Sequence, residues 1–115
     1  MQMKVTKDWT ATYPAPIRVS RGDPLLLSGR QDMWEGHVWL WGTDPSGRSG
    51  WVPDDLCVTE GDKVVAARDY TAQELTVQVG QVVTGGAATH GWTFCRDHDG
   101  DTGWVPDACL AAMTQ

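Results

Sequence analysis

Apolar residues along this chain come in short alternating bursts. Ile17-Arg18-Val19 and Leu75-Thr76-Val77 alternate apolar and polar positions, the pattern of a half-buried strand. Trp39-Leu40-Trp41 and Trp92-Thr93-Phe94-Cys95 concentrate aromatic and β-favouring residues. Asp44-Pro45-Ser46-Gly47 and Asp97-His98-Asp99-Gly100 carry hairpin-turn chemistry. No segment sustains a helical period. Short strands with Gly-rich turns predict an all-β chain built as small barrels.

The bursts occur twice. Gly50-Trp51-Val52-Pro53-Asp54 recurs as Gly103-Trp104-Val105-Pro106-Asp107, each preceded three residues earlier by Gly47 or Gly100. Asp8-Trp9-Thr10-Ala11 matches Asp69-Tyr70-Thr71-Ala72, and Gly22 matches Gly80. The chain is therefore a duplicated module. The offset between the halves falls from 61 positions at Asp8/Asp69 to 58 at Gly22/Gly80 and 53 at Trp51/Trp104. Length changes collect in surface loops, so repeat 1 has a longer first loop and a longer second loop, the latter holding Trp34 and Glu35. The expected domains are 1–58 and 63–113, joined by the linker Thr59-Glu60-Gly61-Asp62. Such a short linker implies barrels that touch, with Trp41 and Phe94 at the seam.

Composition narrows the function. Nine Lys and Arg against fifteen Asp and Glu give a net charge of -6 in 115 residues. This argues against a nucleic-acid binder, which needs a positive footprint. No run of 18 apolar residues suggests a membrane span. The start, Met1-Gln2-Met3-Lys4-Val5, lacks the layout of a secretion signal, and Cys57, Cys95 and Cys109 are odd in number without a C-x-x-C pair. A cytoplasmic location is the expectation.

The matched blocks resemble the Src-homology-3 fold in its bacterial variant, over nearly the whole chain and twice. That family runs from A-L-Y-D-Y through E-L-S-F and a G-D turn to a W-W strand and G-x-x-G-(Y/W)-(I/V)-P. Here repeat 2 reads Ala66-Ala67-Arg68-Asp69-Tyr70, Glu74-Leu75-Thr76-Val77, Gly80-Gln81, Trp92 and Gly100-Asp101-Thr102-Gly103-Trp104-Val105-Pro106. Repeat 1 reads Val5-Thr6-Lys7-Asp8-Trp9, Gly22-Asp23, Trp39 and Gly47-Arg48-Ser49-Gly50-Trp51-Val52-Pro53. The resemblance implies two small SH3-like β-barrels in tandem. It also implies a non-enzymatic module binding an extended or proline-rich peptide on a shelf of aromatic rings. The implied shelf is Trp9, Trp39, Trp51 and Pro53 in repeat 1, and Tyr70, Trp92, Trp104 and Pro106 in repeat 2. Two shelf rings of the family are replaced in both halves, by Lys7 and Arg68 and by Leu56 and Cys109. The longer first loop makes repeat 1 the expected main reader.

Other readings stand beside this one. The aromatic residues could simply pack the small barrels. The pair could be an assembly unit whose faces meet between domains or in a homodimer, or a cell-wall-binding pair if exported. His90, Cys95 and His98 are set aside as zinc ligands, because Cys95 should face the core and no fourth ligand is suitably spaced. Asp97, Asp99 and Asp101 read as a turn, not a calcium loop. No cofactor, metal or catalytic constellation is expected, and the partner should be a protein or peptide.

Overall fold

The computed structural model describes residues 1–113. Twelve strands and two single-turn 3-10 helices, Asp54–Leu56 and Asp107–Cys109, make up the regular structure of those residues. The fold is all-β. It divides into two compact units: a central one, Tyr13–Ala72, and a terminal one that joins Met1–Thr12 to the chain from Gln73 onward.

These units do not follow the repeats. The boundaries expected at 1–58 and 63–113 delimit the repeats as sequence, but the chain passes between units at Thr12/Tyr13 and at Ala72/Gln73. Each repeat therefore gives its opening segment to the unit that holds the rest of the other repeat.

The central unit contains β2 (Arg18–Val19), β3 (Leu26–Trp34), β4 (His37–Thr43), β5 (Ser49–Pro53), β6 (Cys57–Glu60), β7 (Lys63–Ala66) and β8 (Tyr70–Thr71). β3, β4 and β5 form an antiparallel sheet, β2 pairs with β8, and β6 pairs with β7. The segment read as a linker is part of this last ladder. Glu60 faces Lys63, and Gly61 supplies the positive φ of 64° that the tight turn between them needs. Ile17, Val19, Leu25, Val52, Leu56, Val65 and Ala66 are buried here, so residues of repeat 2 complete this core. The extra residues of repeat 1 lengthen the β3–β4 ribbon instead of forming a loop. Its tip, Glu35-Gly36, has φ of 53° and 79°, the left-handed pair favoured in two-residue hairpins.

The terminal unit contains β1 (Gln2–Val5), β9 (Val82–Thr89), β10 (Trp92–Arg96), β11 (Thr102–Pro106) and β12 (Leu110–Ala112), in the order β11-β10-β9-β1-β12. Its core holds Val5, Leu75, Val77, Val83, Cys95, Val105 and Cys109, with Met3, Trp9 and Leu110 packed against it. Here repeat 1 supplies Met3, Val5 and Trp9.

The same contacts appear in both units with the repeats interchanged. Val19 pairs with Tyr70 as Val77 pairs with Trp9. Gly22 N donates to Ala66 O as Gly80 N donates to Val5 O. The Asp of each opening motif joins in: Asp69 accepts from Arg21 N at 2.9 Å, and Asp8 from Val79 N at 2.7 Å. Each of these carboxylates holds a turn of the other repeat.

Candidate functional site

The exchange regroups the residues expected to form an aromatic shelf. Trp9 lies in the unit of Trp92, Trp104 and Pro106, and Tyr70 in that of Trp39, Trp51 and Pro53. The sequence correspondence grouped Trp9 with Trp39 and Tyr70 with Trp92. It could not see that the opening segments change places.

In the terminal unit, Trp9 meets Trp92 edge-on with ring centres 5.3 Å apart and planes at 84°. Both rings are partly exposed, as is Trp104. Trp9 is fixed from behind by Glu74, whose Oε1 accepts from Trp9 Nε1 at 3.0 Å, Thr12 N at 3.1 Å and Thr12 Oγ1 at 3.0 Å. A hydrogen bond to a carboxylate is among the stronger ones, so the indole is held in one orientation. Ala11 N adds a bond to Thr76 Oγ1 at 3.1 Å. Glu74 was legible only as part of a strand motif; nothing in the sequence ties it to a Trp 65 positions away.

The Gly-Trp-Val-Pro block sets the position of Trp104. Trp104 N donates to Gln73 O and Leu75 N to Trp104 O, so the Gln73–Leu75 backbone runs along β11. A Cβ on Gly103 would lie 2.6 Å from Glu74 C and Leu75 N. Only glycine permits that approach, which explains its place before the Trp. Val105 and Pro106 are fully buried, so Pro106, expected on the shelf, offers no surface to a ligand. Thr93, also buried, donates to Asp107 Oδ1 at 2.6 Å and ties β10 to the turn after Pro106.

The central unit is more closed. Trp39 and Tyr70 each retain only 8% exposure, and Pro53 is fully buried. Tyr70 Oη donates to Trp51 O at 3.1 Å. The open rings lie lower on β4 and β5: Trp41 meets Trp51 at 5.1 Å and 76°, and Tyr13 meets Trp41 at 5.7 Å and 61°. The expectation that repeat 1 is the main reader rested on its long first loop. That segment is divided between units, so its length does not measure the depth of one groove.

The two Asp-x-x-Gly turns are built alike. Asp44 Oδ1 accepts from Ser46 N and Arg48 N, and Asp97 Oδ1 from Asp99 N and Asp101 N. Asp44 alone is buried, and its Oδ2 also accepts from Arg18 N and Arg48 Nε, each at 3.0 Å. Burial pushes its carboxyl up, but the backbone hydrogen bonds of Arg18, Arg48 and Ser46 and the Arg48 charge outweigh this and hold it below its usual value. Cys95 is buried and donates to Thr93 O at 3.4 Å. Burial, aided by Asp107, pushes its thiol up to about 11. A buried thiol kept protonated in this way packs the core as a small apolar residue.

A family model described as a variant SH3 domain matches the chain twice, over residues 2–60 and 63–112. The chain belongs to this family and carries two copies of its domain in tandem. The residues between the matches, Gly61-Asp62, are the turn of the β6–β7 hairpin. No curated protein and no solved structure matches the chain. Family membership supports a protein-interaction module in general terms, of a kind that is typically non-catalytic.

Proposed function

We propose that this chain binds a short extended segment of a protein partner on the terminal unit, across Trp9, Trp92 and Trp104. The observation that carries this reading is the crossed Trp9–Trp92 pair, partly exposed and locked by Glu74. Rings already held in place lose little freedom on binding, and flat rings take an extended peptide without a deep cavity. A polyproline II segment suits such a shelf because it is itself preformed. The net charge of -6 favours a neutral or basic segment over an acidic one. The three unpaired thiols, two of them buried, suit a reducing compartment.

The test is an array of extended peptides, proline-rich and otherwise, probed with the full chain. Trp92→Ala should cut capture by about 2 kcal/mol in affinity, the scale of a hot-spot anchor, while Trp39→Ala changes it little. Capture undiminished by Trp92→Ala would mean the shelf is not the reader.

A further inference from the structure

Strand β3 is exposed at nearly every residue, yet it carries a bulge. Leu27 faces Gly42 and Gln31 faces Leu40, so Ser28, Gly29 and Arg30 all stand against Trp41. Gly29 takes a φ of 91°, and Arg30 N donates to Ser28 Oγ at 3.1 Å. Bulges re-aim side chains, and this one brings Arg30 over two indoles. Its guanidinium carbon is 5.2 Å from the centre of Trp41 and 5.3 Å from that of Trp51. Tyr13 adds a third ring against Trp41. Among the described residues no carboxylate forms an ion pair with Arg30; the rings hold it.

The terminal unit provides an internal control. Its β9–β10 ladder has a bulge at the corresponding place, with Gly86 and Ala87 against Phe94. Phe94 meets Trp104 at 5.2 Å and 78°, nearly the geometry of Trp41 and Trp51. The crossed rings thus form with alanine where the central unit has arginine. Arg30 is an occupant of the ring pair and not a condition for it.

We propose that Trp41, Trp51 and Tyr13 form a cation seat that the chain fills with its own Arg30. A guanidinium or alkylammonium group presented from outside competes with Arg30 for it. An exposed cation–π contact holds its cation only partly, and a fractionally filled site weakens a competitor by the matching factor.

Two measurements test this without a peptide ligand. In the full chain, the Arg30 δ protons should be shifted upfield by the indole ring currents; random-coil positions would overturn the proposal. Tetramethylammonium chloride is then titrated against sodium chloride at matched ionic strength, following the Trp41 and Trp51 indole resonances. Arg30→Ala should bind it about three- to sixfold more tightly than the parent, and Arg30→Lys should stay near the parent. Equal affinity in parent and Arg30→Ala, or no response in either, would overturn it. The peptide reading concerns the other unit, so each can fail alone.

Discussion

Glu60 and Lys63 face each other across a two-residue turn, and this pairing determines which strands share a unit. The last strand of repeat 1 turns straight back as the first strand of repeat 2, so β6 finds its neighbour two residues away. The opening strand of the chain is left to pair with the closing one, Met3 against Ala112. Loop-closure cost grows slowly, about 0.6 kcal/mol per doubling of length. Reaching β12 instead of β6 therefore costs β1 little, while the tight turn gives β7 a local partner.

Gly103 and Gly50 occupy the same place in the two copies but should not tolerate alanine equally. At Gly103 the added Cβ would meet Glu74 and Leu75 backbone at 2.6 Å; at Gly50 it would meet the Ile17 Cγ2 methyl at 3.0 Å, Ala72 Cβ at 3.2 Å and backbone only at Ile17 N, 3.3 Å away. Backbone cannot yield as a side chain can. Gly103→Ala should cost about 3 kcal/mol and Gly50→Ala about 1 kcal/mol, measured by urea unfolding. Equal costs would contradict this account of the block.

Asp44 should make stability fall in acid. Its folded carboxyl lies below its usual value, so its contribution is complete above the unfolded value of about 3.9 and is lost as pH falls through the lower folded value. Asp44→Asn should lose about 2 kcal/mol at pH 7 and show a flatter melting profile below about pH 4. An unchanged acid limb in the variant would assign that limb to other carboxylates.

The thiols should be inert in the folded chain. With Cys95 pushed up to about 11, and Cys57 and Cys109 raised mainly by burial, alkylation at pH 8 should be at least about tenfold slower than in denaturant. Cys95 should also contribute to an alkaline limit of stability. Its contribution is complete below the ordinary thiol range and is lost as pH rises towards 11. Fast native labelling of Cys95 would place it outside the core.

Strands, turns and family were legible because they are local. Ile17-Arg18-Val19, the Asp-x-x-Gly turns and Gly-Trp-Val-Pro each show their periodicity or turn chemistry within a few residues. Which aromatic positions of the two copies correspond was legible too, through the repeat. Their grouping was not, because two opening segments of the same family are interchangeable to any local pattern. What separates Trp9 from Trp39 is the Gly61-Asp62 turn, which looked like a linker. Glu74 and the Ser28-Gly29-Arg30 bulge were hidden for a similar reason: each acts on rings distant in sequence or across a ladder.

The central claim is that the shelf in the terminal unit is assembled from both repeats, and the contact between Trp9 and Trp92 tests it most directly. In a nuclear Overhauser spectrum of the full chain, the Trp9 ring should show cross-peaks to the Trp92 ring and to Val77, its bridge partner. Trp9 cross-peaks to Trp39 and Val19 in their place would mean that each repeat keeps its own opening segment, and would contradict the exchange.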